Sequence, residues 1–221
     1  MAYHLKVESL QQLAKMQFIG LVVLTVVATP ETACFGLAVA FLFGVMSGYI
    51  SNFEMILDRV YGYGDWFSLL FGFIAVMFIV ASLTSARFVG NFGLHVWMQH
   101  ISSATLALAA VLVALAVLTD GTPPFWVLFV AFCAFIPAVH ALIPNCNTAS
   151  LMPLSHVAGT ASAVTGTVST AGGALIGNGL SAAFDGTVRP YVFGSALCVV
   201  VAFGLIRLGG RLSRQVRTPD R

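Results

Sequence analysis

Long apolar runs alternate along this chain with short breaks rich in Gly, Pro and polar residues. The runs cover residues 33–50, 66–83, 101–118, 125–143, 157–184 and 191–208. A helix needs about 20 mostly apolar residues to cross roughly 30 Å of hydrocarbon, so each run predicts a transmembrane helix. The breaks "YGYGD", "DGTPP", "IPNCN" and "DGTVRP" hold the residues that end helices and turn chains. Acidic residues stand in the connectors, in the tails or at span edges, away from the bilayer centre where a charge is costly. Residues 16–29 form a shorter apolar run closed by Pro30, and predict a helix lying at the membrane interface rather than a seventh span. The expected organisation is a tail with an interfacial helix over 1–32, a six-span unit over 33–208 and a basic tail over 209–221.

Composition agrees with the pattern. Of 221 residues, 59% are hydrophobic and 8% charged, with a mean hydropathy of +0.96. A soluble domain carries about 25% charged residues, so a bilayer is the solvent this list suits. The net charge of +2 argues against nucleic acid as a partner. Its distribution carries more information than its size. With both termini cytoplasmic, Lys6, Lys15, Arg87, Arg207, Arg211, Arg214, Arg217 and Arg221 fall inside, leaving Arg59 and Arg189 outside. That bias predicts a multi-pass protein with both ends in the cytoplasm. Cys34, Cys133, Cys146 and Cys198 stand far apart and read as small core residues, not a disulfide framework.

The densest chemistry lies in "HALIPNCNTASLMPLSHVAGTASAVTGTVSTAGGALIG", which gathers His140, Cys146 and His156. These do not recur at i, i+3 or i, i+4, the spacing a helical metal site uses, so no metal or other cofactor is expected. An intramembrane serine hydrolase needs a serine followed by a histidine on a later span. No histidine follows His156, which sets that reading aside and points away from an enzyme. What remains is packing: Ala158, Ser162, Gly166 and Thr170 repeat every four residues, and Gly173–Gly177 form a GxxxG pair on a neighbouring row. Small residues let membrane helices approach closely. Ser47, Tyr49, Asn52 and Phe71, with Thr167 and Thr170, are the candidates to line a polar–aromatic cavity. The carboxylates Glu31, Glu54, Asp65 and Asp185 all lie at span edges, so none is placed to couple transport to protons deep in the membrane.

Several stretches resemble the carboxy-terminal half of the Bcr/CflA-type drug-resistance transporters of the major facilitator superfamily. Tyr49, Ile50, Ser51, Tyr61, Gly62 and Phe71 match the run that closes the seventh span and enters the eighth, with "NFEMI" replacing the usual Ser-Pro-Phe. "TSARFVGNFG" is similar to the next loop, where Ala86, Arg87, Phe92 and Gly93 match and Asn91 replaces a basic residue. "IPNCNTASLMPLSHVAGTASAVTG" carries the most specific match, through Pro144, Asn145, Pro153, Gly159, Thr160, Ser162 and Gly166, with Gly173 following in register. The resemblance implies an all-α fold of six spans, half of a twelve-span proton-coupled exporter of amphipathic drugs in a bacterial inner membrane. It implies a separate amino-terminal six-span half as partner, which in this family holds the coupling acid. It makes Arg87, Gly93, Pro144, Asn145, Gly159, Ser162, Gly166, Gly173 and Gly177 the residues of packing and conformational change. The competing expectation is a non-transporting membrane protein that scaffolds a partner chain.

Overall fold

The computed structural model describes residue 25 and residues 28–217. The interfacial helix expected over 16–29 lies almost wholly outside the described residues. Among them are six long helices and no strand: α1 (Pro30–Met55), α2 (Phe67–Phe92), α3 (Leu94–Leu118), α4 (Phe125–Leu151), α5 (Ala158–Ala182) and α6 (Arg189–Arg217). Five continuous helical stretches are long and apolar enough to cross a bilayer. One of them, Phe125–Ala182, runs for 58 residues. At 1.5 Å per residue that is about 87 Å, far more than one crossing. It folds back at a 3-10 segment, Met152–Val157, where Pro153 enters and Leu154 leaves helical geometry at φ −111°, ψ 29°. The protein is an all-α, multi-pass membrane protein.

Contacts between connectors give the course of the chain. At one end of the bundle the Val188 N–H donates to Gly121 O (3.1 Å), Arg189 pairs with Asp120 (2.9 Å), and the Tyr61 hydroxyl donates to Pro123 O (2.7 Å). The α1–α2, α3–α4 and α5–α6 connectors therefore share that end. At the opposite end the Thr32 hydroxyl donates to Ser150 O (2.9 Å), the Phe35 ring faces His95 at 6.1 Å, and Gly209 packs on Phe35. Successive helices run up and down, and the start of α1 lies beside the end of α6.

Helix α1 is the axis of the bundle, packed against α4, α5 and α6, while α3 bridges α4 and α6. Phe35, Leu42, Val45, Tyr49, Phe53 and Ile56 of α1 meet Phe132, Phe135 and Ile136 of α4 and Tyr191 of α6 in the core. Helix α2 touches mainly α4, and α5 mainly α1. Their outer faces stay open, with Leu69 65%, Leu83 63% and Leu175 76% exposed. Water would penalise such faces at roughly 25 cal/mol per Å² of apolar surface, whereas lipid tails do not.

Three local expectations are corrected. The loop expected at "TSARFVGNFG" is helix up to Phe92, and the reversal into α3 rests on Gly93 alone. Its φ of 80° with ψ of 155° is a region essentially confined to glycine. "IPNCN" does not break the chain: α4 passes through Pro137 and Pro144 to Leu151. Proline removes a backbone donor, but packed neighbours in a membrane bundle hold such helices together. Here the Asn145 amide donates to Ala141 O (2.7 Å) one turn back. Finally, α6 continues to Arg217, so the expected tail over 209–221 begins as helix.

Candidate functional site

The interface between α1 and α5 is the most extensive helix contact in the bundle. On α1, Gly36, Ala40, Gly44 and Gly48 repeat every four residues. On α5 the buried row is Ala161, Thr165, Ser169, Gly173 and Gly177, also every four. A Cβ built on Gly173 would lie 2.8 Å from Phe43 Cβ and 3.0 Å from its carbonyl carbon. One on Gly177 would lie 2.5 Å from Ser47 Oγ and 2.9 Å from the Gly48 nitrogen. Both glycines are thus required by backbone approach, as small-xxx-small pairing demands. The other row picked out in the sequence behaves differently. Ser162, Gly166 and Thr170 are exposed, and nothing comes within 4 Å of a Cβ on Gly159 or Gly166. A step of one residue turns a helix by about 100°, enough to separate the two rows.

The cavity candidates fall into three groups. Tyr49 is buried in the core, its ring stacked on Phe71 (5.6 Å, 4°) and tilted against Phe53 (5.1 Å). Asn52, equally buried, donates to Gly48 O (2.8 Å) and to Ser181 Oγ of α5 (3.0 Å). Ser47 is half-buried against Gly177. Thr167 and Thr170 stand on the open side of α5, and the Thr167 hydroxyl turns back to Ala163 O (2.8 Å). The structure brings Tyr49 together with Phe71, and Asn52 with α5, but leaves both threonines apart from them.

Buried polar atoms without partners mark where this packing is incomplete. They include the Tyr49 hydroxyl, Asn52 Oδ1 and Ser169 Oγ. Such a group costs about 1–3 kcal/mol when buried unpaired, so a separation of α1 from α5 that admitted a polar ligand would recover part of that cost at Asn52 and Ser169. His140, which the sequence singled out only as a candidate metal ligand, belongs to the same class. Its Nδ1 is buried and unpartnered while its ring stacks on Phe78 (4.6 Å, 4°).

The remaining motif residues join α2, α3 and α4. Buried Ser85 Oγ accepts from Trp97 Nε1 (2.8 Å) and from Asn145 Nδ2 (2.9 Å), so one hydroxyl ties three helices. Arg87, two residues further along α2 and exposed, has no ion pair among the described residues. Pro144 sits beside Asn145 inside α4. Ser85 is the member of this node that motif reasoning missed, since a lone serine in an apolar helix looks like any other.

Charge is divided between the two ends. Glu54, Asp58, Asp65, Asp120 and Asp185 stand with Arg59 and Arg189 at the end holding the α1–α2 connector. Asp185 is held below the usual carboxylate range by hydrogen bonds from Thr187 and by Arg189 nearby. Burial pushes the Tyr61 phenol up to about 12. Glu54, expected at a span edge, lies inside the helical stretch Pro30–Val60 because a π-helical turn, Ile56–Val60, extends α1. Among the described residues no three His, Cys, Asp or Glu side chains converge as a metal site would require.

Comparison with known proteins bears on this arrangement. No family model matches the chain, and no solved structure does. A curated relative does. The chain is similar to a drug-resistance protein. It is 27% identical over 166 residues to the bicyclomycin resistance protein homolog of Haemophilus influenzae, a match that covers 75% of this chain and 41% of the relative. The chain thus spans about two-fifths of the length of the relative it matches.

Proposed function

We propose that this chain is the carboxy-terminal, six-span half of a proton-coupled drug exporter of the Bcr/CflA type in the major facilitator superfamily. The similarity to the bicyclomycin resistance protein homolog over 75% of the chain carries the reading. The helix arrangement supports it: α1 at the axis, α2 and α5 on the outside with open faces, and both described ends of the chain on one side. Arg87, Arg207, Arg211 and Arg214 stand at that side, and by the positive-inside rule this supports a cytoplasmic position for it. In this reading an amino-terminal six-span half covers the open faces of α2 and α5. Alternating access separates α1 from α5 along their glycine rows, exposing Asn52 and Ser47 to an amphipathic drug. Thr167 and Thr170 face the second half. Proton exchange is completed by that half, because no carboxylate is buried among the described helices of this one.

Susceptibility to amphipathic drugs in cells lacking their own exporters tests the reading. Cells producing this chain alone should stay sensitive, and cells producing it with an amino-terminal half of a related exporter should become resistant. Resistance from the chain alone would overturn the half-transporter reading. Sensitivity in both, with a stable complex between the halves, would favour the scaffold alternative.

A further inference from the structure

At the acidic end of the bundle a cleft of about 220 Å³ opens between Tyr63, Trp66, Leu70, Phe125 and Trp126. Four of its five walls are aromatic. The rings are held edge to face, Tyr63 to Phe125 at 4.9 Å and 63°, Phe125 to Trp126 at 5.0 Å and 66°. Phe125 is fixed from a further side by Tyr61 (5.3 Å), itself anchored on Pro123 O. Trp66 and Trp126 remain 58% and 66% exposed, so the cleft can be entered from outside. Its surroundings are negative. Glu54, Asp58, Asp65, Asp120 and Asp185 outnumber Arg59 and Arg189, and Arg189 is already paired with Asp120. One carboxylate rests against the rim: a Cβ built on Gly64 would lie 2.7 Å from Asp58 Oδ1, in the turn between Tyr63 and Trp66.

We propose that this cleft binds an organic cation of the quaternary ammonium type. Aromatic faces are the negative side of the ring quadrupole, and a weakly hydrated alkylammonium loses little on leaving water to meet them. Asp58 at the rim and the acidic excess at this end draw such a cation in, while an anion is repelled. Leu70 closes the cleft with an apolar wall for the alkyl groups. A girdle of interfacial aromatics accounts for exposed Trp66 and Trp126. It does not account for Tyr63 and Phe125 held edge to face with each other beside a cavity with a carboxylate at its rim. The cation can be free in water or be the choline headgroup of a lipid, and the chemistry at the rings is the same. The site does not depend on the export reading.

The test uses the full chain purified in maltoside micelles, with choline as probe and tryptophan fluorescence as readout. The neutral isostere 3,3-dimethylbutan-1-ol is the comparison. Choline is expected to change the emission saturably, and to bind about tenfold more tightly than the isostere. Trp66→Leu and Trp126→Leu should each weaken choline about fivefold. Asp58→Asn, which keeps the shape of the rim, should weaken choline and leave the isostere unchanged, and 1 M NaCl should act in the same way. Nanodiscs of phosphatidylglycerol with and without phosphatidylcholine separate the two sources. Competition by phosphatidylcholine assigns the site to lipid, and its absence assigns it to a free cation. Equal binding of choline and its isostere, or choline binding unaffected by Asp58→Asn and by a folded Trp66→Leu, overturns the proposal.

Discussion

Replacing Gly177 by alanine adds one methyl group where α1 and α5 already touch. The new Cβ would stand 2.5 Å from Ser47 Oγ, 2.6 Å from Ser47 Cβ and 2.9 Å from the Gly48 nitrogen. The serine hydroxyl can turn aside, but Ser47 Cβ and the Gly48 backbone move only with the whole helix. Overpacking of this kind costs about 1–3 kcal/mol. Alanine also stiffens a helix relative to glycine, a gain of roughly 0.5–1 kcal/mol, so the net loss should reach up to about 2 kcal/mol. Gly166→Ala supplies the control, because its Cβ meets nothing within 4 Å and leaves only the gain. Ser47→Gly in the Gly177→Ala background removes two of the three close contacts and should restore part, not all, of the loss. Unfolding of the purified chain by SDS in mixed micelles, followed by far-UV circular dichroism, measures each difference. Equal midpoints for Gly177→Ala and Gly166→Ala would refute the close approach of α1 and α5.

Two further outcomes rest on single hydrogen bonds. Ser85→Ala strands the Trp97 N–H, while Asn145 keeps its bond to Ala141 O, so the loss should be about 1–3 kcal/mol with a shift in tryptophan emission. Asn145→Ala removes both bonds that its amide donates but strands no donor and leaves the Trp97–Ser85 bond, so it should cost less in the same SDS titration. The Tyr61 phenol ionises near 10 in an unfolded chain and is raised to about 12 by burial in the folded one. Folding therefore favours its protonated form. That contribution is complete below pH 10 and is lost as pH rises through about 12. Tyr61→Phe should flatten this alkaline limb of the stability curve, and an unchanged limb would exclude Tyr61 as its source.

Much of this architecture was legible in the residue order. Runs of apolar residues and the breaks at "YGYGD", "DGTPP" and "DGTVRP" report a local requirement, that a spanning segment satisfy its own backbone and carry little charge. They placed the six helices close to where they lie. Charge bias and the loops agree for the same reason. What residue order could not resolve was which side of each helix faces its neighbours. In water, a buried face is apolar and an exposed face polar, so the pattern reveals the side. Here lipid and core are equally apolar, and helices such as α2 are hydrophobic all round. The row Ala158–Ser162–Gly166–Thr170 and the row Ala161–Thr165–Ser169–Gly173–Gly177 look equally fit to pack. Only the position of α1 decides for the second. The same holds for Pro144, whose effect on α4 depends on neighbours several turns away, and for Tyr49, whose polar end is buried because α2, α4 and α6 close around it. Residue order alone sets the solvent, the helices and their connections, because these follow from local transfer energies. The tertiary structure decided facing, contact and burial, because in a bilayer these depend on shape rather than polarity.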